Sequence, residues 1–254
     1  HPKQPLIMTL TQYQVDAFAS ALFKGNPAAV VPLQQWIHED LMQQIAMENN
    51  LAETVFFVPA SEAGVDYEIR WFTPTVEINL CGHATLAAAY MLFTELGFAK
   101  STLVFSSKSG LLKVWQEADT ITMDFPSWAP SPVTDVPEAL QQVISPVAYK
   151  QVYRYRDWLV ELENEAAVQH FQPDFSLMKA NGIDKLILTA RGNEVDFVSR
   201  FFAPGVGVDE DPVTGSAHSQ LIPYWSRTLG RSELRARQLS FRGGELHCTQ
   251  VNDE

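Results

Sequence analysis

The chain has 254 residues, 46% of them hydrophobic and 19% charged, enough for one large domain or about two of average size, which excludes disordered and fibrous classes. Lys and Arg number 18 against 30 Asp and Glu, a formal charge of −12 that repels phosphate backbones and anionic lipid and argues against nucleic-acid and membrane-surface partners. Two cysteines, Cys81 and Cys248, cannot frame a disulfide scaffold, and the opening HPKQP reads as a tag remnant without signal-peptide character, so a cytoplasmic setting is expected.

From the N-terminus, YQVDAF (13–18), AAVVPL (28–33), ETVFFVP (53–59) and the alternating DYEIRWF (66–72) carry the β-branched and aromatic content of strands. Between the second and third, HEDLMQQIAMENN (38–50) places Leu41, Ile45 and Met47 near helical spacing behind an acidic first turn, an amphipathic surface helix. After Gly82, HATLAAAYMLFTEL is apolar on nearly every face and stops at Gly97, as a helix wrapped by a sheet would read. Gly82, His83 and Thr85 make the same stretch too short and too polar to cross a bilayer. TLVFSS, GLLKVWQ and TITMDF form a meander with turns at Ser109-Gly110 and Ala118-Asp119. The proline-rich PSWAPSPVTDVP (126–137) marks a boundary between a first half, 1–125, and a second half, 126–254.

The second half offers strands near WLVEL, KLILTA and DFVSRFF, short helices over 165–171 and 173–180, and a helix from Ser216 to about Leu229. RWFTPTV at 70–76 and RFFAPGV at 200–206 share an Arg-aromatic-Phe-small-Pro-x-Val pattern, and each leads to a helix opened by Gly, a polar residue and Ala, GHA at 82 and GSA at 215. Two similar halves related by duplication follow. Arg227, Arg231, Arg235, Arg237 and Arg242 make the last part locally basic and read as a solvated face, since no aromatics interleave them for stacking.

Helices that begin at Gly82-His83 and Gly215-Ser216 expose unpaired N–H groups and a partial positive charge, receptors for a carboxylate or oxyanion, and twofold-related halves bring both ends to one cleft. Glycines that only permit tight entry to a buried helix are the bland alternative. Glu53 stands directly before an apolar strand, where burial against Val55, Phe56 and Phe57 would disfavour its charged form and raise its pKa into the range useful for proton transfer. An ordinary strand-end glutamate in water is the alternative. His83 and Asp211 are the other ionisable groups at the two helix starts, able to relay a proton or orient a substrate amine, although Asp211 also suits a plain acid before Pro212. Asp209 and Glu210 crowd it, and three adjacent acids raise one another's pKa if desolvated.

These residues carry a resemblance. VDAFASALFKGNPAAVV, NNLAETVFF, FTPTVEINLCGHATLAA, SRFFAPGVGVDEDPVTGSAH and QLSFRGGEL, spread from residue 15 to 246, closely resemble the phenazine-biosynthesis (PhzF-like) isomerase family. The resemblance implies an α+β, diaminopimelate-epimerase-like fold: two pseudo-twofold related halves, each a β-rich shell around a central helix, with the active site between them and a C-terminal strand near 244–254 completing the first half. It implies Glu53 as general acid/base, His83 and Asp211 contacting or relaying to the substrate, and Gly82, Gly215, Ser216, Cys81 and Thr214 lining a small-molecule carboxylate. Asp16 and Asn26 are expected to be structural members near the pocket. No cofactor and no metal are expected, and a cytoplasmic homodimer is.

Related racemases use two thiols, but the second motif reads DPVTGSA without cysteine, so a two-thiol amino-acid racemase ranks below a proton-shifting isomerase, and Cys81 reads as a small buried residue. A binding protein that grips a small carboxylate without turnover is the other-class alternative. The family usually adds a strand after RGGEL, whereas this sequence ends at QVNDE. G-x-G-x-x-G, G-x-x-x-x-G-K-[ST], H-E-x-x-H and G-x-S-x-G are all absent. Ser216 and His218, two apart on a helix, would not face each other as a hydrolase pair, and the histidines other than His83 read as surface or packing residues.

Overall fold

In a computed structural model that describes residues 8–252, so that HPKQP lies outside the described residues, the chain forms two eight-stranded mixed sheets, each bent around one helix. The first contains β1 (Tyr13–Ala17), β2 (Asn26–Pro32), β3 (Glu53–Pro59), β4 (Tyr67–Phe72), β5 (Glu77–Ile78), β6 (Thr102–Ser107), β7 (Gly110–Glu117) and β8 (Thr120–Met123), with helices α1 (Glu39–Asn49) and α2 (Gly82–Thr94). The second contains β9 (Ser131–Val133), β10 (Tyr149–Arg154), β11 (Trp158–Leu162), β12 (Leu186–Arg191), β13 (Phe197–Ala203), β14 (Val208–Asp211), β15 (Glu233–Gln238) and β16 (Gly244–Thr249). Its helices are α3 (Glu138–Ile144), α4 (Glu165–His170), α5 (Phe175–Ala180) and α6 (Gly215–Leu229).

The duplication read from the sequence is carried into the ladders. Strands β1-β2-β3-β4-β6-β7 pair in the sequence antiparallel, parallel, antiparallel, parallel, antiparallel, and β10-β11-β12-β13-β15-β16 repeat it. In each half the repeated arginine reaches a glutamate on the short flanking strand with two nitrogens: Arg70 to Glu77, at 2.8 and 2.7 Å, and Arg200 to Glu210, at 2.8 and 2.9 Å. The fork geometry of guanidinium on carboxylate fixes β5 against β4 and β14 against β13.

Helix α2 is apolar on most sides because the sheet closes around it: Ala84, Ala87, Ala88 and Ala89 are fully buried among Val30, Val55, Trp71, Leu103 and Phe105. Small side chains let the surrounding strands approach the helix closely. Helix α6 fills the second shell with Leu221 and Trp225 against Leu159, Ile187, Phe197 and Leu234. On the outer face of the first sheet α1 covers Val31, Phe56 and Phe72 through Met42 and Ala46. The stripe expected at Leu41, Ile45 and Met47 is therefore displaced, with Met47 at 58% exposure, because the face presented to the sheet runs through Met42, Ile45 and Ala46.

The C-terminal strand does not complete the first half. Strand β16 pairs antiparallel with β15 over Glu233–Thr249 to Gln238–Gly244, as the short connection 239–243 favours a hairpin over a crossover. Its junction with the first half is two backbone bonds, Gly25 N–H to Gly243 O at 2.8 Å and Glu245 N–H to Phe18 O at 3.4 Å. Arg242 seals the same seam, donating to Asp16 Oδ1 at 2.8 Å, the Gly25 carbonyl at 2.8 Å and the Lys24 carbonyl at 3.1 Å. Asp16 thus has the structural place expected of it, and one of the five arginines is more than a solvated face. Among the described residues no helix is long and apolar enough to cross a membrane.

Candidate active site

The two shell helices meet end to end. A Cβ built on Gly82 would stand 3.0 Å from the Gly215 Cα and 3.0 Å from the Phe125 ring, and one on Gly215 would stand 3.1 Å from the Gly82 Cα. Glycine is required at both places because backbone approaches backbone. Helices α1, α4 and α5 are capped by the side chains of His38, Asn164 and Asp174, whereas Cys81 before α2 and Thr214 before α6 give no side-chain cap. The first-turn N–H groups of α2 and α6 are left without that partner and, with the helix dipoles, favour an anion.

Into this junction β3, β14 and β2 bring polar side chains. Glu53 opens β3, 8% exposed, on the face shared with Val55 and Phe57. Phe56, expected beside it, points to the opposite face against α1, since strand side chains alternate. His83 Nε2 lies 3.0 Å from Glu53 Oε2, an ion-pair distance with the atoms off the line a hydrogen bond needs, so both atoms are buried without a hydrogen-bond partner. The His83 Nδ1 is 3.5 Å from Cys81 Sγ and 3.1 Å from Asn26 Nδ2. Asn26 Nδ2 also donates to Asp211 Oδ1 at 2.6 Å and to the Val213 carbonyl at 2.9 Å. Asn26, expected only near the pocket, is the bridge between the acid of one half and the histidine of the other.

The three adjacent acids separate. Asp209 is exposed, Glu210 is spent on Arg200, and Asp211 alone is buried, at 7% exposure. Thr214 Oγ1 donates to its Oδ2 at 2.5 Å, and Gln238 holds Thr214 in turn, accepting from the Thr214 N–H at 2.8 Å and donating to Thr214 Oγ1 at 3.1 Å. The Thr214 hydroxyl is thus committed to Asp211. Burial, and then the Glu53 charge, push the Asp211 carboxyl up to about 6, against the pull of His83 and of its two hydrogen bonds. For His83, burial works against the charged ring, but the Cys81 sulfur and the Glu53 carboxylate outweigh it and its pKa lies well above the usual histidine value. Burial and the Glu53 charge lift the Cys81 thiol to about 11, so it is neutral at pH 7 and the carboxylate is what holds the imidazolium charge there.

Glu53, Cys81, Gly82, His83, Asp211, Thr214, Gly215 and Ser216 line one cleft of about 850 Å³. All eight candidates read from the sequence therefore lie together. Residues with no local signal in the sequence join them: Phe125, Trp128, Arg156 and Lys185. A larger groove, about 1480 Å³, lies beside α2 and α6 and contains none of Glu53, His83 and Asp211. Cys248 lines that groove, Cys81 the smaller cleft, and burial lifts the Cys248 thiol to about 12. Two neutral thiols in different cavities do not make a two-base pair. His218 lines the larger groove as well, buried and lowered to about 4 by burial, its ring Nδ1 2.7 Å from the Thr214 carbonyl. Ser216 instead accepts from Arg156 Nη2 at 3.2 Å.

Two buried carboxyls, an imidazole and two helix ends around one cleft suit proton transfer on an anionic substrate. Glu53, Cys81 and His83 also present an oxygen, a sulfur and a nitrogen within 4.8 Å of one another, a donor set of the kind that thiophilic divalent ions accept.

The family model described as phenazine biosynthesis-like protein matches residues 15–252. A Pseudomonas aeruginosa protein named as an isomerase is 46% identical over 241 residues, covering 95% of this chain and 91% of the relative. An Enterococcus faecalis crystal structure of the phenazine biosynthesis protein PhzF family superposes with a TM-score of 0.89 at 45% identity, over 96% of this chain and 93% of that one. A P. aeruginosa structure described as a predicted epimerase, at 19% identity, shares the fold with a TM-score of 0.67 over 94% and 91% of the chains. The epimerase-like architecture expected from the motifs is the one observed.

Proposed function

The chain belongs to the phenazine biosynthesis-like family of isomerases, and on that premise we propose that it moves a proton between carbons of a small carboxylate-bearing metabolite, with Glu53 as general acid/base. The observation that carries this reading is the state of Glu53 Oε2: buried, without a hydrogen-bond partner, 3.0 Å from His83 Nε2 and beside two uncapped helix N-termini. A substrate C–H aimed at that oxygen would bring its proton within reach of the base.

In this scheme the carboxylate of the substrate sits at Gly82, Gly215 and Ser216, where N–H groups and helix dipoles stabilise the charge that develops as the carbon acid ionises. Glu53 takes the proton and returns it at another carbon. His83 steadies the glutamate charge before transfer and supplies a proton path afterwards, and Asp211, held by Asn26 and Thr214, orients the far end of the substrate or relays its proton.

The test is deuterium incorporation. The protein is incubated in D2O with a set of small amino and keto carboxylates bearing an acidic C–H, and exchange at carbon is followed by NMR. Glu53→Gln keeps the shape and removes the base, and a loss of roughly 10²–10⁴ in exchange rate is expected. Exchange by the variant at the wild-type rate would overturn the assignment.

A further inference from the structure

The wall of the cleft contributed by the second half carries two cations that the scheme above does not use. Arg156 is held rigidly: its guanidinium lies 4.7 Å over the Trp128 ring, which stacks on Tyr155, and it grips the buried Asp157 through Nε at 3.0 Å and Nη2 at 2.5 Å. Nη2 also reaches Ser216, while Nη1 makes no hydrogen bond with the described residues. Lys185, half-buried in the same cleft, makes no hydrogen bond or ion pair with any described residue, and the neighbouring Asp184 is exposed. Burial, and then repulsion from Arg156, lower the Lys185 pKa. Asp157 is committed to Arg156 and Asp184 is exposed, so the Lys185 ammonium feels both acids but forms an ion pair with neither at the cleft wall.

We infer that Arg156 and Lys185 form a second anion subsite, and that the substrate is a small dicarboxylate, one carboxylate at the helix ends and the other at this pair. The inference rests on the reading of the helix ends as the first carboxylate site. A carboxylate adds one negative charge to a cleft that already holds Glu53, Asp124 and Asp211, whereas a dianionic phosphate adds two. The guanidinium, stacked on Trp128 and tied to Asp157, is organised before any ligand arrives, so little side-chain freedom remains to be lost on binding. Lys185, with three free donors on a flexible stem, closes onto the incoming group.

Isothermal titration of the intact protein with succinate, glutarate and adipate, against butyrate, pentanoate and hexanoate, tests this. At one chain length the wild type should bind the dicarboxylate roughly ten- to a hundredfold more tightly than the monocarboxylate of equal carbon count, the range expected for a hydrogen bond to a charged group. Lys185→Gln should bring that ratio near one by weakening the dicarboxylate, and Lys185→Arg should keep the preference. Monocarboxylate binding with no dicarboxylate preference in the wild type, or a preference that survives Lys185→Gln, overturns the subsite while leaving the helix-end site standing. Failure of both series to bind the wild type overturns the helix-end reading and this inference together.

Discussion

Replacing Asp211 with Asn should change the way stability depends on pH. In the folded protein the carboxyl titrates at about 6, against 3.8 for the free side chain, chiefly because burial penalises its charge. The folded state therefore binds more protons than the unfolded chain between those values, and stability falls as pH rises through the folded pKa. At about 1.36 kcal/mol for each tenfold change in proton affinity, the displacement of the carboxyl from its ordinary range is worth about 3 kcal/mol, fully lost above pH 7 and about half of it lost between pH 5 and pH 7. Asp211→Asn removes the titration. The new amide donates to Thr214 Oγ1 where the carboxylate accepted, so the variant starts from a level shifted by about 1 kcal/mol, one hydrogen bond. The assay reads the slope: urea unfolding of both proteins from pH 4.5 to 7.5, with the difference between them plotted against pH. Other carboxylates, such as Glu77 and Asp196, whose pKa values are lowered in the fold, cancel in that difference. Parallel curves would refute the account of Asp211 as a buried, charge-strained acid.

The close approach of the two helix ends gives a second test. Gly82 is the first residue of α2, where little helix propensity is gained, and Gly82→Ala sets a methyl 3.0 Å from the Gly215 Cα and 3.0 Å from the Phe125 ring. The ring can turn aside, the backbone cannot, and overpacking of about 1–3 kcal/mol should lower the urea midpoint; an unchanged midpoint would show that the helices are not so near. Burial lifts Cys81 to about 11 and Cys248 to about 12, so the thiolate fraction at pH 7.5 is below about one in a thousand. Iodoacetamide should then leave both unmodified in the folded protein by mass spectrometry, and rapid labelling at either site would contradict the burial and the neutral state assigned to it.

Much of this architecture is legible in the residues alone. The strand at 53–59 and the short helices after Asn164 and Asp174 are signalled by β-branched runs and by capping side chains, features that act within a few residues. The duplication is visible because Arg70 and Arg200 need the same partner in each half, a bidentate glutamate on a short flanking strand. Strand β15 is hard to read because its buried set, Leu234, Ala236 and Gln238, is only weakly apolar, so its alternation with Arg235 and Arg237 does not stand out. The pairing of β16 differs from expectation because sheet membership is set by which ladder a strand closes, a long-range choice with no local pattern. In the cleft, Glu53, His83 and Asp211 stand in recognisable motifs. Arg156 and Lys185 do not, since their role depends on strands β10 to β12 bringing an ordinary loop arginine and a strand-edge lysine to one wall.

Asn26 explains why the site needs both halves at once. Its amide has two hydrogens and faces three acceptors, Asp211 Oδ1, the Val213 carbonyl and His83 Nδ1. With His83 charged, Nδ1 carries its own hydrogen, which points to the Cys81 sulfur at 3.5 Å, and the amide serves Asp211 and Val213 without conflict. With His83 neutral and its hydrogen on Nε2 facing Glu53, Nδ1 becomes an acceptor and competes with Asp211 for the same amide hydrogens. Loss of the ring proton thus draws a donor away from Asp211, which makes that acid easier to protonate. The two titrations are coupled through one side chain as well as through space, and they belong to the cluster rather than to either residue. A proton leaving His83 Nδ1 in one half is therefore felt by Asp211 in the other, across a junction that neither shell could build alone.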